Sequence, residues 1–189
     1  MRLKNYKMKE LSLHILDIME NSVSGGASRI EVNITIDKIN DLLAIQVIDN
    51  GRGMNSETLA NVTDPFFTTR TTRKIGMGIS LLKQQAEQTG GEFTIKSELG
   101  KGTEVNASFS LNNIDRQPLG DIAGVIVNTA TSNSDIDFVM NLGTAEGDFH
   151  FSSHEAREIL NDMPMNSPEV ILWLKELIQT NMTDLKIVN

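Results

Sequence analysis

Hydrophobic and polar positions follow two different periods over the first 111 residues of the chain. Apolar residues recur three and four positions apart in residues 9–24, which predicts a helix that Gly25 and Gly26 end. Residues 29–36 alternate apolar and polar side chains as a half-buried strand does, and residues 42–48 supply a second, mostly apolar strand. The chain therefore begins with a helix and a β-hairpin.

The rest of the first 111 residues also contains both predicted helices and predicted strands. The predicted elements are a turn cluster at 49–53, a short helix with Ser56 at its N-cap, a long loop at 63–75, a helix that Gly76-Met77-Gly78 opens and Gly90-Gly91 ends, and strands at 92–97 and 103–111. Because the strands follow one another as hairpins rather than alternating strictly with helices, the pattern predicts an α+β sandwich with helices on one face of a mixed sheet.

Residues 112–120 are the best candidate for a linker between two folded regions. It divides the chain into residues 1–111, the linker, and residues 121–189. The last part predicts a helix near 121–131, a hairpin across 136–151, and helices near 153–160 and 168–181. We expect this part to form a small α+β appendage.

Composition removes several classes of function. The 189 residues carry a formal net charge of −8, which argues against non-specific binding to nucleic acid or to an anionic membrane. The absence of cysteine excludes disulfides, thiolate–metal sites and a cysteine nucleophile. The N-terminus lacks the apolar core of a signal peptide and no apolar run is long enough to span a membrane, so we expect a cytoplasmic location. The sequence contains neither a P-loop motif nor a GxGxxG motif after a strand.

Polar residues interrupt the first helix on one stripe. His14, Asp17 and Asn21 are spaced i, i+3 and i+7 beside the apolar stripe. A carboxylate and an amide one turn apart offer oxygen ligands to Mg²⁺, or the carboxylate positions a water or hydroxyl for attack on a phosphate. A solvated helix face with an incidental asparagine explains the same residues.

A second polar position ends the second predicted strand. Asp49 precedes Asn-Gly-Arg-Gly, a sequence with a high turn propensity that explains these residues without any ligand. In the functional interpretation the Asp49 carboxylate accepts a hydrogen bond from the exocyclic amine of adenine. Gly51 and Gly53 then leave room for the purine.

Cations lie in the loop that follows. Arg70, Arg73 and Lys74 are ordinary surface charges when each is taken singly. They stand, however, beside Gly76-x-Gly78 at a helix start, where small residues let backbone N–H groups approach an anion. In the functional interpretation these residues together clamp the phosphates of a nucleotide.

Four segments of the chain lie in the order and approximate spacing of the GHKL superfamily, which comprises gyrase, the heat-shock chaperone of that fold, histidine kinases and mismatch-repair MutL. LDIMENSVSGGASRIEVNI resembles the N-box, particularly its MutL form, and IDNGRGM resembles the G1 box. DPFFTTR resembles the F-box at the start of the ATP lid, and KIGMGISLLKQQAEQTGGEFTIKSELGKGTEVNASF resembles the G2 box and final strands of histidine kinases. The resemblance covers roughly residues 9–111 and implies a Bergerat-type two-layer sandwich that binds ATP and Mg²⁺.

The resemblance implies a role for each matching residue. Asn21 matches the asparagine that holds Mg²⁺, and Asp49 matches the aspartate that hydrogen-bonds adenine. The other implied nucleotide contacts are Gly51, Gly53 and Met54 of the G1 box, Gly76, Met77 and Gly78 of the G2 box, Thr103 on the penultimate strand, and the lid residues Arg70, Arg73 and Lys74.

Asp17 is where the chain departs from the family pattern. Gyrase and MutL carry a glutamate four residues before the N-box asparagine, as the base that activates water, whereas Asp17 has the same charge on a side chain one methylene shorter. We predict Asp17 to be the catalytic residue. Glu20 lies about 100° further round the helix than Asn21 and is predicted to face away from the site.

Three functions agree with these features. The favoured one is a stand-alone kinase-type protein that binds ATP and phosphorylates or regulates a separate, unidentified partner protein, because too few residues precede the first helix to build a dimerisation segment with a phospho-acceptor histidine. The second is a MutL-like ATP-driven clamp that forms a homodimer, and the third is a nucleotide sensor with negligible turnover. SHEAREIL at 153–160 resembles a phospho-acceptor signature, but a capping box at 152–155 explains it better.

Overall fold

A computed structural model describes residues 8–64, 78–161 and 163–187. These residues form six helices and six strands. The helices are α1 (Leu11–Ser24), α2 (Ser56–Asn61), α3 (Gly78–Gln88), α4 (Ile122–Ser132), α5 (Ser153–Leu160) and α6 (Pro168–Asp184). The strands are β1 (Arg29–Asp37), β2 (Leu42–Asp49), β3 (Phe93–Glu98), β4 (Gly102–Ser110), β5 (Asp137–Thr144) and β6 (Gly147–Ser152).

All six strands belong to one mixed sheet in the order β3-β4-β2-β1-β5-β6. Neighbouring strands are antiparallel except β1 and β5, which run parallel. The inward residues of β1 and β2 are buried, as the alternation of side chains along a strand requires. On the same sheet α1 packs against β2, α3 against β3 and β4, and α4 against β5. The predicted α+β class and the mixed sheet are confirmed.

The other face of the sheet carries a row of polar side chains that crosses every strand. Asn141 donates to Asn33 Oδ1 (2.7 Å), Asn33 donates to Gln46 Oε1 (2.8 Å), and Gln46 donates to Asn106 Oδ1 (2.8 Å). His150 on β6 and Thr94 on β3 complete the row at its two ends. Cross-strand pairs of this kind fix the register of neighbouring strands, so the row ties the C-terminal strands to the N-terminal ones.

The C-terminal part of the chain is an α+β unit, as expected, and it continues the N-terminal sheet. β5 pairs with β1 from Arg29↔Asp137 to Thr35↔Gly143. Phe138 and Leu174 belong to the same hydrophobic core as the buried residues of α1. The division at residues 111 and 121 stays a prediction.

The predicted linker packs against the start of α1. The carbonyl groups of Pro118 and Leu119 accept hydrogen bonds from the backbone N–H groups of Leu11 (2.9 Å) and Ser12 (2.8 Å). These two N–H groups have no partner within the helix, so this segment takes the place of a side-chain cap. Leu119 is fully buried in the core.

Helix starts show how local sequence signals translate into structure. The prediction of Ser56 as the N-cap of α2 is wrong by one residue: α2 begins at Ser56, and Asn55 Oδ1 accepts from Thr58 N (2.8 Å). At α5 the predicted capping is confirmed, since Ser152 Oγ accepts from the backbone N–H groups of His154 and Glu155.

Within the described residues, no helix combines the length and apolar character needed to cross a lipid bilayer.

Candidate functional site

A cavity of about 340 Å³ opens between the end of α1, the turn after β2, and the strand β4. Its apolar wall consists of Ile18, Met54, Val62, Ile79, Leu99 and Val105. Its polar groups include Asn21, Ser22, Asp49, Arg52 and Thr103. A mostly apolar cavity with a few fixed polar groups is the usual form of a small-molecule site.

The Asp49 carboxylate is held by two hydrogen-bond donors. Ser22 Oγ donates to Asp49 Oδ2 at 2.7 Å, and the backbone N–H of Gly51 donates to Asp49 Oδ1 at 2.8 Å. One donor comes from α1 and the other from the turn after β2, so the carboxylate is oriented by two separate elements. A fixed acceptor in a mostly apolar cavity favours a ligand with a hydrogen-bond donor on its edge, such as an exocyclic amine.

Ser22 is a residue of the site that sequence reasoning missed. It is buried on α1 and lies on the same stripe as Ile15 and Ile18, at i, i+3 and i+7. A serine in an otherwise apolar stripe was the available signal. Without the register that brings Asp49 beside α1, the sequence offered no partner for the hydroxyl.

Glycines let the turn after β2 approach its neighbours closely. A Cβ at Gly51 would lie 3.0 Å from Asp49 Oδ1 and 3.1 Å from the Gly25 carbonyl oxygen. Gly53 has a φ of +62°, and a Cβ there would collide with the backbone of Glu98. At Gly51 and Gly53, both predicted from the sequence, a larger side chain would therefore approach neighbouring atoms too closely.

Thr103 and Met54 meet through Ser97, another residue that the sequence did not reveal. Thr103 lies opposite Asp49 in the β2–β4 pairing, and its Oγ1 is 3.0 Å from Ser97 Oγ. The backbone N–H of Met54 donates to Ser97 Oγ at 2.8 Å. The hydroxyl of Ser97 therefore connects the cavity side of β4 to the turn that carries Met54.

Gly102 supplies a stability prediction beside the cavity. Its φ is +104°, and a Cβ there would overlap the backbone carbonyl of Asp49. We expect Gly102→Ala to lower the free energy of unfolding by about 3 kcal/mol, because backbone strain adds to a clash that no side-chain rotation relieves. Urea unfolding measures the loss.

Gly100→Ala is the matched control for that substitution. Gly100 also has a positive φ, +81°, but a Cβ there meets nothing within 4 Å. We expect it to cost about 1 kcal/mol from backbone strain alone. Equal losses for the two variants would contradict the steric role of Gly102.

Asp17 and Asn21 lie one turn apart on α1 and differ in burial. Asn21 is half-buried and lines the cavity, whereas Asp17 is buried at the seam between α1 and α3. There Asp17 packs against Gly78, where a Cβ would collide with the carboxylate. Glu20 is exposed, which agrees with its predicted outward direction.

The described residues include part of the set of nucleotide contacts that the resemblance implied. Arg70, Arg73, Lys74, Gly76 and Met77 lie outside the described residues. Of the predicted set, the structure brings Asn21, Asp49, Gly53, Met54 and Thr103 together around one cavity. Gly51 adjoins it through Asp49, and Gly78 adjoins it through its neighbour Ile79.

His14 is buried one turn before Asp17. Its Nδ1 lies 3.3 Å from the Gly78 carbonyl oxygen and its Nε2 lies 3.0 Å from Gln117 Oε1. Burial lowers the pKa of His14 below its ordinary value of 6.5, and the contacts with Gln117 and Gly78 offset part of that effect. His14 is therefore favoured in its neutral form inside the folded protein.

The lowered pKa of His14 predicts a loss of stability in acid. Above the ordinary pKa of 6.5 the ring is neutral in both states, and below it the unfolded chain takes up the proton first. We expect the free energy of unfolding to fall as the pH drops below that value, by at most about 1.4 kcal/mol per pH unit from this group. Urea unfolding across this pH range measures the slope.

The variant His14→Asn removes the titrating ring. Other groups contribute to the slope in both proteins, so the difference between wild type and variant isolates His14. Parallel stability–pH curves for the two proteins would show that His14 does not titrate differently on folding.

Comparison with known proteins gives one family and many partial relatives. The model of the family described as histidine kinase-, DNA gyrase B- and HSP90-like ATPase matches residues 7–113. A putative sensor protein of Shewanella frigidimarina is 33% identical over 106 residues, which are 54% of this chain and 16% of that protein. Sporulation kinase D of Bacillus subtilis is 28% identical over 98 residues, which are 52% of this chain and 19% of that protein. A putative sensor histidine kinase, NtrY-like, of Rickettsia conorii is 26% identical over 109 residues, or 58% of this chain and 18% of that protein.

The relatives are much longer than the matched region, since the chain spans less than a fifth of the length of each of these proteins. Among solved structures, the N-terminal domain of a DNA repair protein superposes with a TM-score of 0.57 at 18% identity. That match covers 77% of this chain and 52% of the other. It supports the fold.

Proposed function

Because the chain belongs to the histidine kinase-, DNA gyrase B- and HSP90-like ATPase family, which implies ATP binding, we propose that it binds Mg·ATP in the cavity beside Asp49 and phosphorylates or regulates a separate partner protein. The observation that carries the proposal is the Asp49 carboxylate, which Ser22 and Gly51 orient within a mostly apolar cavity. The protein itself is expected to be cytoplasmic, as its sequence predicts.

The cavity has the chemistry that adenine requires. Asp49 accepts from the exocyclic amine, and the apolar side chains Ile18, Ile79 and Val105 cover the faces of the ring. Thr103, opposite Asp49 on β4, offers a hydroxyl to the same edge of the base. A base that lacks the exocyclic amine leaves the Asp49 carboxylate without a donor from the ligand, and this difference is the basis of base selectivity.

Asn21 fits the role of a Mg²⁺ ligand. Its side chain lines the cavity, and Mg²⁺ in nucleotide sites usually takes one or two protein oxygens together with phosphate oxygens and water. When bound, the ion neutralises charge on the phosphate oxygens during transfer. Arg70, Arg73 and Lys74 complete the proposal as phosphate contacts.

Asp17 is proposed to act on the nucleophile. It is one helical turn from Asn21, so a water or a partner side chain between Asp17 and the terminal phosphate lies within reach of both. The carboxylate orients that nucleophile and accepts its proton. Its burial against Gly78 keeps the side chain in one place.

A MutL-like clamp is the second candidate. The structural match to the N-terminal domain of a DNA repair protein covers 77% of the chain, more than the part that the family model matches. In this function ATP orders the lid and promotes homodimer formation, and hydrolysis resets the protein. A nucleotide sensor with negligible turnover is the third candidate.

Incubation with γ-labelled ATP and Mg²⁺, with and without cell extract, separates the three functions. Label transferred to a partner protein supports the kinase. Free labelled phosphate together with ATP-dependent dimerisation supports the clamp. Bound ATP with neither outcome supports the sensor, and failure to bind ATP under any condition contradicts all three.

A further inference from the structure

His14 joins three parts of the protein that are far apart in sequence. It belongs to α1, its Nδ1 is 3.3 Å from the carbonyl oxygen of Gly78 at the start of α3, and its Nε2 is 3.0 Å from the side chain of Gln117. Its side chain is 1% exposed. A buried polar ring in this position needs partners, and each of its nitrogens lies within hydrogen-bonding distance of an oxygen atom.

The neutral ring of His14 has a single N–H group, so its two contacts are not equivalent. The Gly78 carbonyl can only accept, so the proton lies on Nδ1 when this contact is a hydrogen bond. The Gln117 amide nitrogen donates to the Met8 carbonyl at 2.8 Å, which turns its oxygen towards Nε2. Both ring nitrogens therefore face oxygen atoms, and a neutral ring can donate to only one of them at a time.

Gly78 is the link between His14 and the candidate site. Its carbonyl faces His14, and its Cα lies so close to Asp17 that a Cβ would collide with the carboxylate. The next residue, Ile79, lines the cavity. A displacement of Gly78 therefore shifts the first turn of α3 relative to both Asp17 and the cavity.

We propose that His14 is a positioning residue for phosphate binding: by donating from Nδ1 to the Gly78 carbonyl, it fixes the first turn of α3 against Asp17. In this arrangement the N–H groups at the start of α3 are held where they meet the phosphates of the nucleotide. The inference rests on the proposed function, because it assigns a role within the same nucleotide site. Gln117, whose Oε1 lies 3.0 Å from Nε2 on the far side of the ring, does not set the position of α3.

Substitution of His14 by asparagine or by glutamine tests its two contacts separately. The amide nitrogen of asparagine is at the same distance along the side chain as Nδ1, whereas that of glutamine corresponds to Nε2. His14→Asn therefore keeps a donor for Gly78, and His14→Gln keeps one for Gln117. The experiment measures the affinities of each variant of the 189-residue chain for Mg·ATP and for adenosine by calorimetry.

The expected result is a selective loss of phosphate affinity. In His14→Gln the affinity for ATP falls about fivefold relative to adenosine, as the loss of one positioning hydrogen bond predicts. In His14→Asn the ratio of the two affinities stays close to that of wild type. Gln117→Leu, which removes the other contact, also leaves the ratio unchanged.

Thermal unfolding of the same variants separates positioning from stability. A merely structural role lowers the melting temperature of both His14 variants without changing the ratio of ATP to adenosine affinity, and that outcome overturns the inference. Equal loss of ATP affinity in His14→Asn and His14→Gln overturns it as well. Absence of nucleotide binding by wild type would instead contradict the proposed function, so the two failures are distinct.

Discussion

The variant Asp49→Asn is expected to lose nucleotide binding, with the Kd for ATP raised at least about 1,000-fold. Asparagine has the same size but replaces one acceptor oxygen with an NH₂ group. The two oxygens of Asp49 already accept from Ser22 and Gly51, so the amide cannot satisfy both and still accept from adenine. Sites built around a ligand donor lose most of their affinity when the matching acceptor is missing.

Calorimetric titration with ATP measures the effect of Asp49→Asn. Asp37→Asn is the matched control, because it makes the same chemical change in the exposed turn at the other end of the β1–β2 hairpin. The control should bind ATP like wild type. Affinity close to wild type in Asp49→Asn itself would place base recognition elsewhere.

The variant Asp17→Asn is expected to bind ATP normally and to lose turnover by about 100- to 10,000-fold, the range typical of a removed general base. The amide is isosteric and retains the packing against Gly78, but it cannot accept a proton. Asp17 is at the seam of α1 and α3 rather than among the residues that line the cavity around Asp49. Binding and turnover should therefore separate in this variant.

Release of labelled phosphate, or its transfer to a partner, measures turnover of Asp17→Asn beside a direct measurement of ATP affinity. Glu20→Gln is the control, since Glu20 is an exposed carboxylate on the same helix. Unchanged turnover in Asp17→Asn would remove Asp17 from the chemistry. Absence of turnover in the wild-type protein itself would support the nucleotide sensor, and the short side chain of Asp17 would explain that absence.

The periodicity of the sequence located most of the helices and strands because it depends on local geometry. The first helix, the hairpin at 29–49 and the helix that ends before Gly90 differ from the observed elements by at most two residues at their ends. Motif order also named Asn21, Asp49 and Thr103, which the structure collects around one cavity. Sequence reasoning could identify these residues because the ligand that the family binds dictates their types.

The sequence by itself determined the α+β class, the order of the elements and the nucleotide motifs, since each depends on residues close together in the chain. Only the tertiary structure revealed the parallel pairing of β5 with β1, the hydrogen bond from Ser22 to Asp49, and the burial of His14 between Gly78 and Gln117. Each of these contacts joins residues 27 to 108 positions apart. Hydrophobic burial and the matching of donors to acceptors decide such contacts, and both depend on how the whole chain packs.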